Sequence, residues 1–484
     1  LPDTIPMTDL LHLPALALAA TALAGCAGSP PPMPAPHVTE AQWSADDPNL
    51  TNGAARLGWW REFGSADLDA AVDRALGANR EIAAAEANLR VARALAGESR
   101  RTSGGVAAGL TRLRESSQSQ PPIFITPEPF PNQTMANVGV DFAWELDLAG
   151  GEASMARAEQ ADSDAALWER RQTEAAIVAQ VVQSWLDLAR EQANGDLLRR
   201  RIAATDAMLA IGRKRIALGG ALASELAQLE QLRAGLAGRL SLVEHAARNA
   251  TRRIAVLTGQ DPVALSLKGG SVTARKIKTP TRLTAHDPRI LLRLRPDVQA
   301  AEARLLAAFE RAGGSRAALY PSLSLGAGTS LVAAPRSLDE RGAFRFYIGP
   351  SINWGIFNLG QVRARIRAAD AASEAAAARW QNSLLVALEE ADGAIDLWLS
   401  TRAAAAQLRV AQESAVAASA AIRARGRAGT AGAFELAEAE VTLLAAEADL
   451  MMAEAAQREA WARANLALGA GWQPEKNPEK TAGR

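Results

Sequence analysis

Few residues in this 484-residue chain can do covalent or acid–base chemistry. It holds one cysteine, Cys26, and four histidines, His12, His37, His245 and His286, scattered without the close spacing of a zinc site. P-loop, dinucleotide-binding and HExxH patterns are absent. The adjacent carboxylates Glu389 and Glu390 fall on a helical pattern with no converging nucleophile or base and no predicted cleft. Catalysis, metals and cofactors are therefore not expected. Two features remain that do chemistry without turnover. Cys26 ends Leu23-Ala24-Gly25-Cys26, behind an apolar stretch that begins at Leu10. An apolar core followed by small residues reads as a secretion signal. The ending resembles the bacterial lipobox, in which cleavage before the cysteine leaves it to carry lipid, and each buried CH₂ contributes about 0.8 kcal/mol of membrane affinity. The region before the apolar core departs from that pattern: it lacks Lys and Arg, carries Asp3 and Asp9, and contains Met7 as an alternative start. The second feature is acidic. Glu435 and Glu438 stand three apart, and so on one helix face, just after the turn residues Gly429 and Thr430. Glu225 follows Gly219 and Ser224 in the same way.

The composition limits what else the chain can be. With 53 basic and 53 acidic residues its net charge is +0, which gives no hint of the basic face that nucleic acid requires. Ala, Leu, Glu, Arg and Gln dominate, so long helices are expected. No run of about 20 apolar residues occurs outside the N-terminus, so a membrane contact would need a lipid anchor or a β-barrel. After Cys26, the Pro-rich stretch Ser29 to Pro36 reads as an extended tether.

The elements that must position the acidic residues come from an internal repeat. At an offset of 210, Trp144 pairs with Trp354, Gly150 with Gly360, Gly219 with Gly429, Glu225 with Glu435 and Gly259 with Gly469. Each half is predicted to run helix, two strands, long helix, tight turn, helix. The strand segments alternate: Val138, Val140, Phe142, Trp144 and Leu146 on one side, Gly139, Asp141, Ala143 and Glu145 on the other. Segments from Ser322 and Phe344 do likewise, and Val106 to Arg114 does so weakly. Strands of about ten residues with aromatic ends suit an outer-membrane barrel. A half-buried sheet in a soluble domain is the plainer alternative. Four strands cannot close a barrel of the usual minimum of about eight, so the edges would have to pair with other copies. From about Glu152 to Leu218 roughly 65 residues are helix-compatible, on the order of 100 Å of rise. The counterpart runs from about Gln361 to Ala428. Gly150 and Gly360, at the strand-to-helix transitions, are expected to need unusual backbone angles.

Several motifs resemble the TolC-type outer-membrane efflux channel family, and together they span nearly the whole mature chain. They are Trp59-Trp60-Arg61-Glu62-Phe63 with Ala75-Leu76-Gly77-Ala78-Asn79; Trp144-Glu145-Leu146-Asp147-Leu148 with Gly150; Leu291-Leu292-Arg293-Leu294-Arg295-Pro296-Asp297-Val298; Tyr320-Pro321-Ser322-Leu323-Ser324-Leu325; Trp354 to Gly360; and Ala467 to Trp472. Leu294 replaces a usual Arg. The lipobox variant is typical of partners of resistance-nodulation-division pumps.

The resemblance implies a mainly α fold with a transmembrane β-barrel part: a homotrimer with a long periplasmic α-helical barrel and four β-strands per chain. It implies an exit duct in the outer membrane, lipid-anchored at Cys26, serving a periplasmic adaptor and an inner-membrane pump. Ala27, after the cysteine, permits sorting to the outer membrane. The hairpin turns at Gly219, Ser224, Gly429 and Thr430 become adaptor-docking tips. Glu435 and Glu438 fall where the family carries two Asp, so three copies would ring a pore with six carboxylates; Glu225 matches an acid that helps to hold the tip shut. Ala431 replaces an Arg that braces the closed tip in some relatives. The expected organisation is a signal over 1–26, a tether and extension over 27–58, a first repeat over 59–260, a linker over 261–290, a second repeat over 291–472 and a polar tail over 473–484. The competing expectations are a protein-secretion duct or a non-channel periplasmic lipoprotein.

Overall fold

In a computed structural model the structure describes residues 42–44, 47–53, 58–99, 104–115, 133–218, 223–267, 277–334 and 337–470. The strands are β1 (Leu50–Asn52), β2 (Gly104–Glu115), β3 (Gln133–Leu146), β4 (Leu283–Ala285), β5 (Ser322–Ala333) and β6 (Phe344–Asn353). The helices are α1 (Ala66–Ala78), α2 (Arg80–Ser99), α3 (Gly151–Ala217), α4 (Ala223–Leu257), α5 (Pro262–Leu267), α6 (Pro288–Leu294), α7 (Pro296–Ala317), α8 (Leu359–Arg427) and α9 (Ala433–Ala467). The predicted helix–strand–strand–helix–turn–helix order recurs in both halves. The hairpin helices α4 and α9 each have 35 residues and keep the 210 offset from end to end. Upstream of the first strand-to-strand connection the offset is lost, because residues 116–132 outnumber their counterparts between β5 and β6.

The chain divides into two compact units that cut across the repeats. One contains residues 89–165 and 301–380 and holds a four-stranded antiparallel sheet in the order β2-β3-β5-β6. Its register puts Val138 opposite Leu331, Phe142 opposite Ala327 and Trp144 opposite Leu325, and then Ala327 opposite Ile348 and Leu323 opposite Ile352. Because side chains alternate at period two, this collects one apolar face across three strands. Val140, Phe142, Trp144, Phe346, Ile348 and Ile352 on it are all exposed in the single chain. The start of α3 is fixed by Asp147, whose carboxylate accepts from Ala153 N at 2.7 Å, after Gly150 turns the chain at φ 72°. The expectation for Gly360 fails. A short 3₁₀ turn, Ile356–Asn358, makes the second transition, so Gly360 lies inside α8 with an ordinary φ.

The other unit contains residues 36–88, 166–300 and 381–484 and holds the hydrophobic core. Trp59, Phe63 and Trp461 meet edge to face, with Phe63 and Trp461 centroids 5.3 Å apart, and Trp461 Nε1 donates to Arg282 O. Ile177, Val181, Trp185 and Leu188 of α3 and Ile395 and Trp398 of α8 join it, each set recurring at helical spacing along one helix face. The described residues of the N-terminal extension, 42–44 and 47–53, are folded onto this unit. β1 pairs in parallel with β4, Trp43 Nε1 donates to His286 O, Ser44 binds Asp392, and Asp47 pairs with Arg402. Among the described residues no helix is long and apolar enough to cross a membrane.

Candidate functional site at the hairpin turns

The second hairpin turn is built from helix-ending chemistry. α8 stops where Gly429 takes φ 75°, Gly429 N donates to Gly426 O, and Thr430 N donates back to Arg425 O at 2.9 Å. Arg425 sits in the last turn of α8, where a cation complements the negative helix end. Its guanidinium crosses to the other arm: Nη1 lies 2.6 Å from Glu435 Oε1, and Nη2 donates to Thr430 O at 3.1 Å. Thr430 Oγ1 donates to Arg425 O. The arms approach closely here, since a Cβ on Gly426 would lie 2.9 Å from Leu436 Cδ1.

The acidic candidates therefore divide. Glu435 is neutralised within its own chain by Arg425. Glu438, one turn on, is exposed and its side chain has no partner among the described residues; its backbone carbonyl accepts from Thr442 Oγ1. Ser224 and Glu225 are exposed in the first turn of α4. Gly219 lies outside the described residues, as does Cys26.

Three residues that sequence reasoning passed over act at these turns: Arg215, Arg425 and Phe434. Arg215 is the counterpart of Arg425 in the repeat, but its guanidinium lies over the Phe434 ring of the other hairpin, 5.2 Å from the centroid. The first hairpin has Ser224 where the second has Phe434, so the duplicated cation finds its aromatic partner across the pair. The recurrence of Arg at 215 and 425 was the available clue. Below the turns the repeat doubles two cross-arm ion pairs: Arg213–Glu230 with Arg423–Glu440, and Arg199–Glu244 with Arg409–Glu454. These are solvent-exposed, so each contributes only about 0.5 kcal/mol and sets alignment more than stability.

A cavity of about 650 Å³ corrects one expectation, because Glu389 and Glu390 do line a cleft. Its wall includes Arg295, Asp297 and Arg463 but no Ser, Cys or His, so no nucleophile or imidazole base faces them. Glu390 is held by Arg295 at 2.6 Å. Among the described residues no group of His, Cys, Asp and Glu could hold a metal ion.

Comparisons with known proteins agree with one another. The family model described as outer membrane efflux protein matches residues 71–260 and 288–470. The pyoverdine export outer membrane protein OpmQ of Pseudomonas aeruginosa is 27% identical over 465 residues, 94% of this chain and 96% of that protein. The toluene efflux pump outer membrane protein TtgF of Pseudomonas putida is 28% identical over 419 residues, 79% and 81% of the two chains. Among solved structures, the outer-membrane channel OprN is 28% identical with a TM-score of 0.83, covering 93% of this chain and all of that one (100%). The open state of the Neisseria gonorrhoeae MtrE outer membrane channel, at 22% identity and a TM-score of 0.78 over 92% and 98% of the chains, shares the fold.

Proposed function

This chain belongs to the outer membrane efflux protein family, and from that premise we propose that three copies form a passive exit duct for small molecules. The single observation that carries this reading is the sheet. One face is apolar and exposed across β3, β5 and β6, the other is small and polar, and the outer edges of β2 and β6 are unpaired among the described residues. A surface of that kind suits lipid outside and water inside, and open edges call for further strands. Three copies supply twelve. The relatives export pyoverdine and toluene by name, which supports small organic cargo driven by an inner-membrane pump through a periplasmic adaptor. In this reading the adaptor meets the hairpin turns at Gly219, Ser224, Gly429 and Thr430, of which Ser224, Gly429 and Thr430 are exposed. Cys26 carries the lipid anchor.

Glu438 and Glu225 are the acids of the gate, with Glu435 bracing its own hairpin. A ring of carboxylates at a constriction attracts cations. Single-channel recording in planar bilayers tests this. Glu438→Gln is expected to lower cation selectivity and divalent block, Glu225→Gln to do so less, and Glu435→Gln least, because Arg425 already offsets its charge. Equal effects of Glu435→Gln and Glu438→Gln would remove the distinction, and no effect from any of the three would remove the ring.

A further inference from the structure

We propose that Tyr347 and Asp141, held together across Gly328, form a binding site for organic cations on the polar face of the sheet. The placement in a lumen rests on the duct reading above; the site itself rests on side-chain geometry. In the register, Asp141 of β3 is opposite Gly328 of β5, which is opposite Tyr347 of β6. The Tyr347 ring lies over β5 and its hydroxyl donates to Asp141 Oδ1 at 2.9 Å, two strands away. This reach exists only because the strand between offers no side chain. A Cβ on Gly328 would lie 2.5 Å from Tyr347 Cε1 and closer still to the Asp141 carboxylate, and one on Gly326 would lie 3.5 Å from Cε2. Gly328 is buried beneath the ring, while Tyr347 keeps 55% of its surface exposed.

The result is an aromatic ring held against the glycines of β5 with a carboxylate at its hydroxyl end. Beside it along β3 the same face carries only small residues, Gly139 and Ala143. Asp141 has no cationic partner among the described side chains, only the uncharged phenol. Arg345, the cation two residues from Tyr347 on the same face, is turned to backbone, donating to Gly342 O at 2.7 Å and Phe344 O at 3.0 Å. An exposed π face beside an unneutralised carboxylate attracts weakly hydrated cations such as quaternary ammonium groups, which both the ring quadrupole and the charge favour. A strongly hydrated metal cation gains less from the ring. Three copies would present three such sites to one water-filled passage, a place where cationic solutes pause on the way out.

The probe is benzyltrimethylammonium, with neutral benzyl alcohol as comparison. Two measurements are made on the full chain: block of single-channel current in planar bilayers, and ligand NMR titration of the detergent-solubilised protein. Asp141→Asn keeps an acceptor for the phenol and removes the charge; Tyr347→Leu removes the ring; Gly328→Ala keeps both groups and evicts them from their arrangement. Each is expected to weaken binding and block by about fivefold or more, and Tyr347→Phe, which unpins the ring, by about threefold. Glu145→Gln, on the same face but away from the ring, is expected to leave both unchanged, and benzyl alcohol is expected not to compete. Unchanged binding in Asp141→Asn or in Gly328→Ala overturns the site. If the wild type binds the cation with these sensitivities yet carries no current, the site stands and the duct reading fails. If current flows with block that no variant alters, the duct stands and the site fails.

Discussion

Asn79 and Arg295 show how a duplicated backbone can be served by different residue types. Both sit immediately before a helix, in extended conformation, at φ −68° and −69°. Both turn a buried side chain onto the last carbonyl of a hairpin helix: Asn79 Nδ2 to Leu257 O at 2.9 Å, Arg295 Nη1 to Ala467 O at 3.2 Å. Buried carbonyls at a helix end need donors, and these two residues supply them. Burial pulls the Arg295 guanidinium down, but Asp297 and Glu390 more than offset it, so its pKa lies above the ordinary arginine value. Glu459 shows the opposite balance. Burial, with Asp187 beside it, pushes its carboxyl up despite the ion pair with Arg190. Burial pulls Arg190 down, but Glu459, Glu191 and Asp187 together more than offset it, so its pKa lies above the ordinary arginine value. Glu459 thus keeps its proton to higher pH folded than unfolded. Protonation favours the fold, and this group's contribution is lost as pH rises above about 4.5, its ordinary value. Thermal unfolding of wild type and Glu459→Gln, followed upward from below about pH 4.5, is expected to show the wild type losing ground to the variant until the raised folded value is passed. Curves that stay parallel would refute the assignment.

At the scale of elements, the hairpins depend on turns whose tolerance differs. Gly429 and Gly259 share a left-handed backbone, at φ 75° and 69°. An added Cβ at Gly429 meets nothing within 4 Å, whereas at Gly259 it would lie 2.6 Å from Ala78 O. Gly429→Ala therefore carries only backbone strain, about 1 kcal/mol. Gly259→Ala adds a clash with the carbonyl of α1, and about 3 kcal/mol is expected. Chemical denaturation of the two variants checks this ordering; an equal loss would mean that Ala78 moves aside freely. The turn at Gly429 is also where Arg425 ties the arms, so the hairpin end is ordered by its own chain before any partner binds.

At the scale of the whole molecule, the described residues of one chain leave the apolar sheet face and the outer edges of β2 and β6 uncovered. Burying that face in lipid and pairing the edges between copies answers both exposures at once. A detergent-resistant trimer is the expected outcome of gel filtration with light scattering. Cys26→Ser is expected to abolish acyl labelling while the trimer persists, because the outer strands β2 (Gly104–Glu115) and β6 (Phe344–Asn353) are far from it in the sequence. A monomer in every detergent would refute the assembly, and labelling that survives Cys26→Ser would refute the anchor.

Much of this architecture is legible in the sequence because its information is local and periodic. Strand alternation, helical spacing and the 210-residue echo place β3, β5, β6, α3 and α8 within a few residues of where they lie, and the family motifs place the turns. The sequence also singled out Glu225, Glu435 and Glu438. It could not divide them, because the partner of Glu435 is set by how two arms meet across a turn, and Arg425 was one of many arginines. The same holds for Arg215 on Phe434, Asn79 and Arg295 on distant helix ends, and Tyr347 reaching over Gly328 to Asp141. Composition and period fix which face a residue takes. Only the register between segments far apart in the chain decides which group it touches, and charge and hydrogen bonding act over those few ångströms.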